Sequence, residues 1–441
     1  MVQTILLAVI FSFTLQTMAQ TKLPSRHKAH QPVSARQVHN SALVIDTHAD
    51  TTQRLLDENF DMANPPAGDT GYLDFKKARA GNLGAEFFSI WVEPKEWKGQ
   101  YAHRTLALID AVYQQAAKHP SQMMMAYSPA EIRSAQREHK LAALMGIEGG
   151  HSIENDLGLL RDYYRLGVRY MTLTWSNTND WADSSGDISD ASVQHHDGLT
   201  PFGKSVVAEM NRLGMMVDIS HVSDKTFYDA LQVSRAPVIA SHSSARALTN
   251  HPRNMTDEML RAVAKNGGVV MVNFYSAFVD ENFRKQYEAM SKEREAALAA
   301  VAEKYRNADP VTRYRENDKA QKEWGAKVPR PPFNSLIDHI DHVAKVAGID
   351  HVGLGSDFDG IPSSPEGMDS AADLPKITEA LMKRGYTAAQ MQKILGGNFM
   401  RVFEQVERIG QQLRSHPAQP AVPKAPSTGA ASKGSAAGNA K

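Results

Sequence analysis

The sequence predicts an α/β fold: a (β/α)8 barrel of the TIM type, with a helical insertion between its seventh and eighth strands. Three observations carry the prediction. Eight short apolar runs recur along the chain, helical segments separate most of them, and the runs are continuous rather than alternating. Continuous runs suit strands covered on both faces. Strands alternating with helices suit a parallel sheet closed on itself. A doubly wound open sheet is the alternative.

In chain order the runs are ALVIDTHAD (42–50), AEFFSIWV (85–92), LAALMGIEGG (141–150), RYMTLTW (169–175), MMVDISH (215–221), PVIASH (237–242), GVVMVNF (268–274) and HVGLGSD (351–357). Helical segments are read at 104–118, 155–166, 201–213, 223–234, 256–266 and 335–347. Residues 280–330 break the rhythm. Their stretch ENFRKQYEAMSKEREAALAAVAEKYR is a strong, highly charged helix former. It reads as a helical excursion that either covers the site, meets a second subunit, or is a solvated decoration.

The ends read differently. ILLAVIF opens an apolar stretch too short for a membrane span, which needs about 20 residues. TMAQ follows it, so residues 1–19 read as a secretory signal peptide. Against this, Met1 to Gln3 carry no Lys or Arg, and a buried N-terminal helix is the other reading. Residues 20–40 read as a polar lead-in, 41–415 as the barrel, and 416–441, rich in Pro, Ala, Ser, Gly and Lys, as a disordered tail.

Composition narrows the function classes. Lys plus Arg and Asp plus Glu number 49 each, which gives no electrostatic reason to expect nucleic acid or an anionic membrane as partner. The chain has no cysteine, which excludes disulfides, cysteine nucleophiles, thiolate metal sites and a lipidated N-terminal Cys. With the leader, this suits a secreted or periplasmic protein without a membrane anchor.

The apolar runs end in residues that chemistry would use. The first ends in His48 and Asp50, the third in Glu148, the fifth in His221, the sixth in His242 and the eighth in Asp357. In a parallel barrel the C-terminal strand ends meet at one mouth, where active sites sit. Side chains two apart on a strand share a side, so His48 and Asp50 can reach one ion together. Three imidazoles and two carboxylates suit zinc, with manganese or iron as lesser fits. Five donors exceed one tetrahedral catalytic ion and fit two ions sharing a carboxylate, expected to be Glu148. His48 and Asp50 would hold one ion, and His221 and His242 the other. A hydroxide between them is the expected nucleophile. Any one of these residues alone reads equally as an ordinary hydrogen-bonded side chain. SDFDG around Asp357 also reads as a turn, and Asp359 as structural.

With these residues in view, the sequence resembles the renal, or membrane, dipeptidase family of binuclear zinc peptidases, within the amidohydrolase-like barrels. The likeness runs from about Leu43 to Val406 through IDTHAD, GIEGGHSI, LGVRYMTLT, WADSS, GLTPFGKSVVAEMNRLGMMVDISHVS, SHSSARAL, HPRNMTDE, VMVNFY, GLGSDFDG and GGNFMRVFE. It implies the same ligand assignment, a proton-handling role for Asp357, and a grip on the substrate carboxylate by Arg253. It also implies that a homodimer is common. A guanidinium pairs bidentately with a carboxylate, which agrees with that role. One position departs. The family commonly has His after TLT, where it contacts substrate; here Trp175 stands there. An indole N–H donates but cannot accept or carry charge. His151 or Asn177 is a candidate substitute, or the substrate differs. The expected activity is hydrolysis of dipeptides through a metal-bridging hydroxide. An amidase on N-acyl amino acids or β-lactams is one alternative, and a catalytically inactive secreted peptide-binding protein is another.

Overall fold

The computed structural model describes residues 33–416. The leader read over 1–19, and all of the tail except His416, lie outside the described residues. The end of the stretch read as polar lead-in, from Ala35 on, belongs to the helix Ala35–Ser41: Ser34 and Gln37 form a capping box, and Val38 and His39 are buried.

Among the described residues nine strands form one parallel sheet. They are β1 (Val44–Ala49), β2 (Leu83–Trp91), β3 (Met123–Met125), β4 (Leu141–Glu148), β5 (Val168–Thr172), β6 (Met216–Asp218), β7 (Ile239–Ala240), β8 (Val269–Val272) and β9 (Val352–Leu354). Eight of them close a ring in the order β1, β2, β4, β5, β6, β7, β8, β9, with β9 pairing back to β1. These are the eight predicted strands. The ninth, β3, is absent from the sequence reading because three residues are too few to register as an apolar run. It pairs with Leu141–Ala143 of β4, while β5 pairs with the later residues of β4 from Met145 onward. Thus β3 lengthens the sheet outside the ring.

The barrel explains the continuous apolar runs. Ala85, Phe87, Ala142, Leu144 and Tyr170 share one buried cluster with Phe399 and Phe403 of the helix Asn398–Ser415. Their strand neighbours Phe88, Ile90, Ala143, Met145 and Ile147 join a second cluster with Leu108 and Val112 of the helix Tyr101–Lys118. Successive residues point to opposite faces, and both faces are covered. Each fully buried side chain of this size contributes about 1.5–3 kcal/mol.

Most barrel strands are followed by helices, among them Leu157–Arg165, Pro201–Leu213, Asp224–Val233, Asp257–Asn266 and Phe333–Val346. Thr200, Ser223 and Thr256 cap three of them, each accepting from a first-turn amide. Between β8 and β9 lie the helices Glu281–Ala289, Ser291–Lys304 and Pro310–Gly325. Ser291–Lys304 buries no residue. Because all the ring strands are parallel, their C-terminal ends open on one mouth.

Candidate metal centre

The mouth gathers the singled-out residues. His48 lies in β1 with Asp50 just beyond, and Glu148 ends β4. His221, His242 and Asp357 follow β6, β7 and β9 within three residues. His221 and Asp357 turn sharply there, with φ of 66° and 65°. Non-glycine residues seldom adopt this left-handed conformation, and it is found preferentially at functional sites.

Glu148 is the hub. Its Oε1 lies 2.8 Å from His221 Nε2 and 3.4 Å from His242 Nε2, and its Oε2 lies 3.4 Å from His48 Nε2. His48 Nε2 is 3.6 Å from Asp50 Oδ2. His48, Glu148 and His242 form one group of converging donor atoms; His48, Asp50 and Asp357 form another. All five candidate ligands are buried, His48 completely.

A layer of hydroxyls orients the imidazoles. Tyr170 donates its hydroxyl proton to the Thr47 carbonyl at 3.0 Å. It therefore accepts from His48 Nδ1 at 2.8 Å, which leaves Nε2 with a free lone pair. Ser241 donates to Asp218 Oδ2 at 2.6 Å and accepts from His242 Nδ1 at 2.8 Å. Ser176 Oγ stands 3.3 Å from His221 Nδ1. The Nε2 atoms of His221 and His242 are 3.0 Å apart. His48 Nε2 and Asp50 Oδ1 are buried without hydrogen-bond partners. Lone pairs converging in a dry site repel unless a cation lies among them. The donor set therefore fits a divalent metal held by imidazole and carboxylate.

The electrostatics agree. Burial pushes Glu148 up, but His48, His221 and His242 overcome it and hold the carboxyl well below its usual range. Burial, reinforced by Arg253, lowers His221 to about 4, so it is neutral and ready to ligate at pH 7. Burial, then His48 and Arg253, likewise lower His242. Burial opposes a charge on His48, yet Tyr170, Glu148 and Asp50 together raise it, so the chain's own groups call for positive charge there. Burial beside Asp50 and Glu148 pushes Asp357 up to about 8, while Asn273 Nδ2 donates to Asp357 Oδ2 at 2.8 Å.

Arg253 is 6% exposed. It donates to Ser243 Oγ at 3.1 Å and to the His242 carbonyl at 3.0 Å, and its Nε has no acceptor. Among the described residues no carboxylate pairs with it. Trp175 is half-buried, with its ring 4.8 Å from that of Trp91 and 6.4 Å from that of His221. His151 lies against Gly149, where a Cβ would meet its Cε1 at 2.4 Å; its Nε2 bonds the Val92 carbonyl at 2.8 Å and its Nδ1 is unpartnered. Asn177 Oδ1 is also buried without a partner.

Sequence reasoning missed the supporting residues. Ser89 donates to Glu148 Oε2 at 3.2 Å. Gly360 packs so tightly that a Cβ would lie 2.0 Å from Asp50 Oδ2 and 2.7 Å from Asp357 Oδ1. Asn273 had a usable signal, as a polar residue closing an apolar run. Tyr170, Asp218 and Ser241 had none, because their role depends on which strands face one another.

The chain matches the membrane dipeptidase family, peptidase family M19, over residues 33–417. Among solved structures it is similar to the probable dipeptidase PvdM from Pseudomonas aeruginosa, at 27% identity and a TM-score of 0.69, covering 85% of this chain and 98% of that one. It is also similar to a metallopeptidase called dipeptidase AC, at 26% identity and a TM-score of 0.66, covering 83% and 99%. A metallopeptidase from Rhodobacter sphaeroides, bound to a phosphinate mimic of L-Ala-D-Ala, shares the fold at 24% identity and a TM-score of 0.65, covering 83% and 99%. A match over so much of the chain settles its kinship: it belongs to the membrane dipeptidase family.

Proposed function

We propose that the protein is a metal-dependent dipeptidase that hydrolyses the peptide bond of free dipeptides. The observation that carries this is Glu148 standing 3.4 Å from His48 and 2.8 Å from His221, so that one carboxylate lies within reach of an imidazole from each expected ligand pair. His48 and Asp50 would hold one ion, His221 and His242 the other, with Glu148 between. Five nitrogen and oxygen donors without thiolate favour two zinc ions. Such ions supply Lewis acidity toward the scissile carbonyl and a water acidified to a pKa of about 7.

The chain's own residues do the rest. Arg253, buried and without a carboxylate partner, binds the free C-terminal carboxylate through its planar fork. That pairing selects a dipeptide's end over the interior of a longer chain. Asn273 holds Asp357 by Oδ2, which leaves Oδ1 to take the attacking water's proton and pass it to the departing amine. Burial beside Asp50 and Glu148 keeps this carboxyl protonated in the metal-free chain, and cations on those two groups would return it to the carboxylate that the exchange needs. Trp175 lines the site, where its indole N–H can donate to a carbonyl oxygen but cannot carry the charge that a protonated His would. Export, inferred from residues 1–19, places the activity in the periplasm or medium; no described helix is long and apolar enough to cross a membrane. A homodimer rests on the family resemblance alone.

Trp175 keeps a second reading in view, an amidase acting on N-acyl amino acids. Elemental analysis of the purified protein, paired with a panel of L,L-dipeptides, L,D-dipeptides and N-acyl amino acids, decides between them. Two equivalents of zinc with dipeptide turnover is the expected result. Turnover of the acyl compounds alone would overturn the dipeptidase reading.

A further inference from the structure

The helix Pro310–Gly325 is polar, and Gly325 is its one fully buried residue. It nevertheless touches the barrel at two sides of the mouth. At its start, Arg313 pairs with Glu96, in the loop after β2, and the Tyr314 ring lies 5.5 Å from that of Trp91. At its end, Gly325 approaches Pro362, in the loop after β9, so closely that a Cβ would lie 2.9 Å from the proline Cβ. In the ring, β1 stands between β2 and β9. A helix fixed at both places passes over the end of β1, where His48 and Asp50 sit. Burial, then Asp318 and Asp50, push the Tyr314 hydroxyl up.

Trp91 belongs to the same surface. It ends β2 opposite Glu148 of β4. Ser89, two residues earlier and so on the same side, touches the Glu148 carboxylate. Trp91 is therefore the next step outward from the hub. Its ring is 4.8 Å from Trp175, whose ring is 6.4 Å from His221. Three aromatic rings thus run in series from the helix to the candidate ligands. Trp91 is 8% exposed, and its Nε1 is buried without an acceptor, a donor left for a bound molecule.

We propose that Trp91, Trp175 and Tyr314 form an aromatic wall, closed by the helix Pro310–Gly325, that holds an apolar side chain of the dipeptide and makes the enzyme prefer bulky apolar residues over glycine. The proposal rests on the dipeptidase reading and adds its side-chain preference. Between these two fixed ends the helix has few buried residues, so a bound side chain can order it further.

The test uses the full-length, metal-loaded protein with Tyr314→Ala and Tyr314→Phe, and Gly-Gly, Leu-Ala, Ala-Leu and Phe-Ala as substrates. Tyr314→Ala should lower kcat/KM for the best of the three bulky substrates about tenfold and leave Gly-Gly within about twofold. Tyr314→Phe, which keeps the ring, should behave as wild type. An equal fall for all substrates, or no fall for the bulky ones, overturns the proposal. A second readout does not need turnover. A phosphinate analogue of a leucine-containing dipeptide should slow amide hydrogen exchange over residues 310–325 in the wild type and less in Tyr314→Ala; no slowing in the wild type also overturns it. Slowed exchange without hydrolysis of any dipeptide would sink the dipeptidase reading and leave the wall standing. Hydrolysis with a uniform effect of the variant would do the reverse.

Discussion

Replacing Arg253 with Met asks whether the site reads a free carboxylate. The side chain is 6% exposed, bonds only Ser243 and the His242 carbonyl, and has a buried Nε without an acceptor. Burial lowers its pKa to about 10 from 12.5 against the opposing pull of Asp357, Glu148 and Asp218, a sign that these carboxylates do not fully match its charge. A hydrogen bond to a charged group is worth about 1.5–3 kcal/mol. Losing it should therefore cut kcat/KM for a dipeptide by about ten- to 150-fold. The control is the same dipeptide as its C-terminal amide, which has no carboxylate. The wild type should prefer the acid by a similar factor, and Arg253→Met should lose that preference while hydrolysing the amide as the wild type does. Metal content should not change, since Arg253 is not among the candidate ligands. The thermal midpoint should not fall, because removing an unpaired buried charge is often neutral or stabilising. If the variant loses acid and amide equally, Arg253 shapes the pocket rather than reading the carboxylate, and the reasoning fails.

Three further outcomes follow from the same geometry. Glu148→Gln removes the charge shared by three imidazoles, so it should lose bound metal by elemental analysis and more than about hundredfold in dipeptide turnover; full metal content with unchanged turnover would mean that the activity lies elsewhere. Gly360→Ala drives a methyl to 2.0 Å from Asp50 Oδ2, so metal occupancy and activity should fall while circular dichroism keeps the barrel signature. Asp357, raised from 3.8 to about 8, binds a proton when folded that the unfolded chain has released, so its stabilising contribution is lost as pH rises through about 8. His221, lowered from 6.5 to about 4, pulls the other way, but its contribution is already complete above pH 6.5. Chelator-treated protein should therefore lose thermal midpoint between pH 6.5 and 8, and Asp357→Asn should lose less over the same range.

What could be read in advance follows from which residues interrupt a pattern. His48, Glu148, His221, His242 and Asp357 stand at the ends of apolar runs, and a polar side chain there needs a reason that local chemistry can supply. The eight ring strands were legible for a related cause, since two covered faces leave no alternation to confuse with a surface strand. The residues that aim the imidazoles lack both signals. Tyr170 looks like one more apolar residue of β5, yet its hydroxyl reaches His48 on β1, a strand that is not its neighbour in the ring. That contact exists only because the sheet closes and sets the two strands across the lumen. Tyr314 is a stronger case. It lies in a charged helix with no apolar periodicity, and from composition alone that helix could have been a cover or a decoration. Its ring gains meaning only once the helix is tied to Glu96 at one side and Pro362 at the other. Candidate ligands are thus marked by residue chemistry and can be picked out one strand end at a time. The orientation of those side chains, and the grouping of Trp91, Trp175 and Tyr314, are properties of closure and become visible only where distant segments meet.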